Sequence, residues 1–258
     1  MTSSHPQEIE LKLQLSPARA EAFRAMLARR RVRPVEQELV TLYLDTPDFD
    51  LGTAGVAVRL RRVGRRWLQT LKTEGERQGG LSRRAEFEMP VPRGELDWAL
   101  FPPEAQAYVP VKRRARLVPV FETRFTRTAW QLGGAGGAAI EVALDVGEVR
   151  AGEAAMPICE IELELKSGEP DALYDLALDW ARRFDCLPFD QSKAERGMRL
   201  ACCAADAPVK PVQAGLDRAM RVEDGFAAIC QACLTHFQAN LPGVLDADDI
   251  EYVHQARV

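Results

Sequence analysis

Apolar and charged residues alternate through Glu8-Ile9-Glu10-Leu11-Lys12-Leu13, the two-residue period of a β-strand. The same alternation returns in Val56–Val63, Trp67–Lys72, Arg84–Val91, Ala139–Val146 and Ile158–Leu165. Val40–Leu44 reads as a strand closed by Asp45-Thr46-Pro47, and Pro119–Arg127 with Trp130–Leu132 as one long strand or two. Gly64 marks a hairpin turn, the Gly133–Gly137 run a second turn, and Pro92 the end of the strand through Val91. Between Glu95 and Val109 the pattern predicts irregular chain with a short helix.

Ser16-Pro17 opens a helix that should run to about Arg31, serine capping and proline fitting the first turn. A further helix is predicted over Pro170–Phe184, and a short helix or turn over Ser192–Leu200. From Ala204 to Ala214 the chain is Ala- and Pro-rich without periodicity, which reads as a linker. Beyond it Phe226, Ile229, Cys230, Cys233, Leu234, Phe237 and Leu241 recur at helical spacing, the mark of a packing face. A second helix should begin near Asp246 and run to Val258. Two such helices cannot bury two apolar faces by themselves, so residues 215–258 are expected to be a fragment of a second domain. The expected organisation is a domain over 1–203, a linker over 204–214 and the helical fragment over 215–258.

Composition changes this picture little. The 258 residues are 47% hydrophobic, enough for a sizeable core. A net charge of -4 gives no reason to expect nucleic acid or a membrane as partner. The six cysteines are irregularly spaced, and Cys230-x-x-Cys233 has no second ligand pair, so they read as small packing residues. The polar start and the lack of a membrane-length apolar run fit a reducing cytoplasm.

The chemistry lies in the charged faces. For a single strand the ordinary reading is a polar face in water. Across the set, however, Arg59, Arg61 and Lys72 are purely basic, and Glu160, Glu162 and Glu164 purely acidic. Arg84, Glu86 and Glu88 share one face, as do Glu141 and Asp145. Carboxylates on alternate positions repel unless a cation sits among them, and oxygen donors suit Mg²⁺ or Mn²⁺. Clustered arginines likewise need an anion. Closing the sheet into a barrel, with the helices over 17–31 and 170–184 on its apolar outside, would bring acidic and basic walls into one lumen. A polyanion carrying a divalent metal would satisfy both.

These residues resemble the CYTH superfamily of triphosphate tunnel metalloenzymes. Glu8-Ile9-Glu10-Leu11-Lys12 matches its ExExK signature, and Tyr43-x-Asp45-Thr46-Pro47, Leu51, Gly55 and Val58-Arg59-Leu60-Arg61 follow in family order. So do Leu71-Lys72, Arg84-x-Glu86-x-Glu88, Glu141 to Asp145, Glu160-Ile161-Glu162 and Ser192-Lys193-x-x-Arg196-Gly197. The resemblance covers roughly residues 6–203 and implies an α+β fold: an eight-stranded antiparallel β-barrel, the triphosphate tunnel, flanked by helices. Val253-His254-Gln255-Ala256-Arg257-Val258 resembles the opening of a CHAD domain, a helical domain associated with polyphosphate, entered here only at its beginning.

The resemblance implies roles residue by residue. Glu8, Glu10, Glu160 and Glu162, with Asp145, would hold one or two Mg²⁺ or Mn²⁺ ions; Glu164 shares their face. Lys12, Arg59, Arg61, Lys72 and Lys193 would cradle the triphosphate. Glu88, and after it Glu86, would face the lumen and steer a metal or an arginine, so that Glu8, Glu10, Lys12 and Glu88 form the catalytic set. The family also places an arginine near 121–130. Arg124 and Arg127 compete for it from opposite faces of a regular strand, with Arg127 preferred. Arg84, Arg196 and Glu141 read as supporting residues. The implied activity is hydrolysis of inorganic triphosphate to diphosphate and phosphate, with longer polyphosphate a further candidate partner. The alternatives are a thiamine or nucleoside triphosphatase or an adenylate cyclase on the same tunnel, or a polyphosphate-binding module without catalysis.

Overall fold

The structure is a computed structural model; it describes residues 7–258 except 31, 79, 80 and 205. The elements run β1 (Gln7–Gln14), α1 (Pro17–Ala28), β2 (Val35–Asp45), α2 (Asp50–Thr53), β3 (Val56–Val63), β4 (Arg66–Thr73), β5 (Glu76–Gln78) and β6 (Leu81–Val91). They continue with α3 (Pro103–Ala107), α4 (Val111–Arg114), β7 (Val118–Gly133), β8 (Ala139–Ala151), β9 (Ala154–Ser167), α5 (Asp171–Phe184) and β10 (Leu187–Pro188). Last come α6 (Lys193–Ala201), α7 (Val222–Asp246) and α8 (Glu251–Arg257).

All pairings are antiparallel, in the order β1-β9-β8-β7-β2-β3-β4-β6, and β6 pairs back onto β1 from Gln7↔Ala85 to Leu11↔Leu81. That pairing closes an eight-stranded barrel, as expected; β5 and β10 are short additions to β6 and β1. Several strands outrun their predicted limits. The segment 118–133 is one continuous strand, and β2 starts at Val35, in an exposed stretch with no apolar alternation to announce it. β6 ends at Val91, directly before Pro92, as expected. β8 continues past Gly147, where an added Cβ would come within 2.1 Å of the Arg124 carbonyl oxygen; glycine there permits a close backbone approach. The β8–β9 turn falls at Gly152, whose φ of 57° suits glycine. Helix α1 stops at Ala28; the last predicted position, 31, lies outside the described residues.

The apolar faces point outwards. Leu11, Leu13, Ile140, Val142, Leu144, Ile161 and Leu163 pack under α1 and α5, where Phe23 meets Trp180 edge-on at 5.0 Å. Val58, Leu71 and Phe87 are covered by Phe101, Ala105 and Val109 from the irregular stretch. A third cluster lies on the lumen side: Leu39, Tyr43, Phe121, Phe125, Val149 and Ile158 receive Ala194 and Met198 of α6. The lumen is therefore charged over part of its length and apolar where α6 enters.

Helix α6 begins with a capping box. Ser192 Oγ accepts from the Glu195 amide at 3.1 Å, and the Glu195 carboxylate accepts from the Ser192 amide at 2.8 Å. This fixes Lys193 as the first helical residue. An added Cβ at Gly197 would lie 2.1 Å from the Phe121 ring, which is itself stacked on Tyr43 at 4.5 Å. Gly197→Ala is expected to cost about 1–3 kcal/mol through overpacking, readable as a lowered Tm.

In the C-terminal segment the Asn240 side chain donates to the Val209 carbonyl and accepts from its amide, tying the chain after α6 onto α7. The apolar stripe of α7 differs from expectation: Phe226, Ile229, Leu234 and Phe237 are exposed, not packed. Among the described residues no helix is long and apolar enough to cross a membrane.

Candidate active site in the barrel lumen

Strand parity delivers the site. Glu8, Glu10 and Lys12 of β1, Arg59 and Arg61 of β3, Lys72 of β4, Glu86 and Glu88 of β6, Arg127 of β7 and Glu162 and Glu164 of β9 all face one cavity of about 560 Å³. Lys193 of α6 reaches the same cavity. Each side chain has found a partner of opposite charge, with one exception.

On one side, Lys72 Nζ donates to both Glu8 oxygens at 2.8 and 2.9 Å and sits 3.0 Å from Glu86. Arg84 donates from Nε to Glu8 at 3.0 Å and from Nη2 to Glu10 at 2.5 Å. Arg59 pairs with Glu86 at 3.2 Å and Glu88 at 3.5 Å, and the Thr70 hydroxyl donates to Glu88 at 3.0 Å. On the other side, Lys193 Nζ donates to Asp145 at 2.6 Å, to Glu162 at 2.9 Å and to Glu160. Arg127 forks onto Asp145 at 2.8 and 2.6 Å and also donates to Glu162, while Arg196 donates to Glu160. Lys12 joins the two sides, 2.8 Å from Glu10 and 3.8 Å from Glu162.

The exception is Arg61. Its Nε donates to the Thr41 hydroxyl at 3.1 Å, and among the described residues no carboxylate lies within ion-pair distance of it. Burial, with Arg59 and Arg127 nearby, brings its guanidinium down to about 10. The carboxylates show the opposite balance. Burial pushes Glu162 up, but Lys193, Arg127 and Lys12 outweigh it and hold the group well below the usual carboxylate range. Glu8 is likewise lowered, burial being overcome by Lys72 and Arg84. Glu164 is raised, because burial outweighs its single partner Lys166. Burial opposes the charge on Lys193, yet Asp145, Glu160 and Glu162 together raise it.

The donor set fits a hard divalent ion. Asp145, Glu160 and Glu162 offer oxygens that all lie within 4.8 Å of one another, and Glu8 with Glu10 offers a second carboxylate pair. In both places lysine or arginine nitrogens now take the positive role.

The geometry corrects three expectations. Arg124 is on the outer face, its side chain 55% exposed and bonded to Glu122, whereas Arg127 is 17% exposed and lumenal. The single-strand rule that put them on opposite faces holds, and it leaves no place for Arg124 at the anion. Next, Glu8 and Glu10 lie on the strand beside Glu160 and Glu162 and face the same lumen, but they bond different cations. Glu10 is in register with Glu164, and Glu160 with Gln14, so the stagger of the barrel places them in separate groups. Finally, the signs are not segregated between walls: Glu86 and Glu88 sit beside Arg59, and Lys193 sits among the acids rather than with Arg59 and Arg61. Glu141 lines the cavity, and Arg84 does so while bonding both carboxylates of β1. The signal for Arg84 was its parity with Glu86 and Glu88. Tyr43 and Phe121, which also line the cavity, carry no charge, and strand alternation alone did not single them out.

A closed antiparallel barrel with an ion-paired, charge-filled lumen belongs to the class of tunnel barrels. A CYTH domain matches residues 6–198, and the chain belongs to the CYTH family. An inorganic triphosphatase of Haemophilus influenzae is 36% identical over 208 residues, which are 75% of this chain and 55% of that protein. The chain thus spans about half the length of the curated relative it matches. Among solved structures, a Hippeastrum protein described as an adenylyl cyclase with dominant triphosphatase activity aligns with a TM-score of 0.54 at 17% identity, covering 74% of this chain and 95% of that one. A proposed adenylate cyclase of Bacillus halodurans aligns with a TM-score of 0.50 at 16% identity, covering 73% and 96%. These two likenesses establish the shared fold.

Proposed function

We propose that the lumen binds inorganic triphosphate together with Mg²⁺ or Mn²⁺ and hydrolyses it to diphosphate and phosphate. Arg61 carries this reading: a guanidinium in the cavity, beside two other arginines and, among the described residues, with no carboxylate at ion-pair distance, is a standing demand for an anion. The Haemophilus relative supports triphosphate as that anion.

Arg59, Arg61 and Arg127 would grip the phosphoryl oxygens, with Lys12, Lys72 and Lys193 as point charges around them. All of these but Arg61, which is held by Thr41, are fixed by ion pairs before substrate arrives, so they need little reorganisation as charge moves onto the leaving diphosphate. Glu8 and Glu10, and the Asp145–Glu160–Glu162 group, would hold the divalent ions. Such ions, when bound, supply charge stabilisation and lower the pKa of a water. Glu88, tied to Thr70 and Arg59, would orient Arg59 towards the anion. Residues 1–203 form the catalytic domain in this reading. The sequence Val253–Val258 supports assigning 215–258 to the opening part of a CHAD-type helical domain.

Phosphate release from triphosphate, ATP and thiamine triphosphate, each with Mg²⁺ or Mn²⁺, tests the proposal. Triphosphate should be the preferred substrate. Tight binding with no phosphate released under either metal would replace hydrolysis by a binding role. Glu10→Gln is expected to remove turnover in the same assay while leaving the circular dichroism spectrum unchanged.

A further inference from the structure

Arg84 has the parity of Glu86 and Glu88 and lies directly across the β6–β1 pairing from Glu8. Its side chain is 9% exposed and borders the cavity. One guanidinium spans both carboxylates of β1: Nε to Glu8 Oε2 at 3.0 Å, Nη2 to Glu10 Oε1 at 2.5 Å. The oxygens it uses are doubly engaged. Glu8 Oε2 also accepts from Lys72 at 2.8 Å, and Glu10 Oε1 from Lys12 at 2.8 Å. Among the described residues neither lysine bridges the two carboxylates, so Arg84 is the group that holds them as a pair.

We propose that Arg84 is the resident counter-cation of the Glu8–Glu10 pair, yielding it to a divalent ion and turning its guanidinium onto the triphosphate. This rests on the reading of the lumen as a triphosphate site. The reasoning is competition for the same oxygens. A divalent ion on Glu8 and Glu10 competes for oxygens that each already carry two cationic donors, and Arg84, the donor common to both carboxylates, is the group whose departure frees an oxygen on each. A guanidinium released beside an anion-binding cavity finds its next partner in the phosphoryl oxygens, which match its fork. Arg84 then links the two ligands: the ion favours the state in which Arg84 is free for the anion, and the anion favours the state in which Glu8 and Glu10 are free for the ion.

The test begins with Mn²⁺ titrated calorimetrically into protein without triphosphate. Arg84→Gln keeps bulk and loses charge; it should bind Mn²⁺ about 10-fold more tightly than the unaltered protein, because a competitor for the oxygens is gone. Arg84→Lys, which reaches one carboxylate instead of two, should fall between them, and it carries the same test should the glutamine variant fail to fold. Imidotriphosphate, which resists hydrolysis, is then titrated with and without Mn²⁺. The factor by which Mn²⁺ tightens it should shrink in Arg84→Gln. Mn²⁺ affinity that is unchanged or weaker in the variants, or an unchanged coupling factor, overturns the proposal. If the unaltered protein fails to bind imidotriphosphate, the triphosphate reading falls, and the Mn²⁺ titration still decides whether Arg84 is the resident cation.

Discussion

Lys193→Met should lose about 3–5 kcal/mol of folding stability and all measurable triphosphate hydrolysis. The ammonium is 6% exposed and touches Asp145, Glu160 and Glu162, which are themselves nearly or fully buried. Removing it leaves three carboxylates with Arg127, Arg196 and the more distant Lys12 around them, and an incompletely compensated buried charge is the costly outcome of breaking such a cluster. The pH dependence follows from the shift on Glu162. Its folded-state pKa lies below the unfolded value, so its contribution is present above the unfolded pKa and lost as pH falls through the folded one. In the unaltered protein this contribution should therefore begin to fall at the ordinary carboxylate range and be exhausted only in strong acid. In Lys193→Met the fall should be smaller and end at a higher pH, because the largest attraction holding Glu162 ionised is gone. Urea denaturation followed across pH measures both effects. An unchanged midpoint at neutral pH would show that Lys193 does not stabilise the cluster.

The same cluster shows what the sequence could and could not convey. Alternation in Glu160-Ile161-Glu162-Leu163 announced that both carboxylates share a face, and the apolar partners, buried under α1 and α5, showed that this face was the inner one. Parity within a strand is local, so it was legible, and it separated Arg127 from Arg124. Contacts across the lumen depend on stagger between strands far apart in sequence. Nothing in Glu8-Ile9-Glu10 states that Glu10 lies opposite Glu164 and not Glu160, or that Arg84 will bridge it to Glu8. Nor does Ser192-Lys193 disclose that its helix enters the apolar end of the barrel and delivers an ammonium to three carboxylates. The capping box was readable; the docking on Phe121 and Phe125 was not, because those rings sit in lumenal positions that the charged pattern reserves for polar groups. The apolar stripe of α7 marks the other limit: periodicity identified the helix, but exposure of Phe226 and Leu234 is a property of what surrounds it.

Arg61→Gln should separate function from stability in the opposite sense to Lys193→Met. A charge-assisted contact to an anion is worth about 1.5–3 kcal/mol, so its loss should weaken triphosphate binding by roughly 10- to 150-fold. Glutamine retains a donor for Thr41, so the barrel should be undisturbed locally. Stability should be unchanged or should rise by up to about 1 kcal/mol, because burial and repulsion from Arg59 and Arg127 outweigh the attraction that Glu88 offers the half-buried guanidinium. The sign has a pH signature. A guanidinium whose folded-state value is drawn down to about 10 makes stability increase with pH between that value and its ordinary one, and this alkaline increase should vanish in the variant. Calorimetric titration with imidotriphosphate, beside melting curves at neutral and alkaline pH, reads all three effects. Weakened binding with intact or improved stability would identify Arg61 as a group held at a folding cost for the anion. Unchanged binding would remove the observation on which the triphosphate assignment rests.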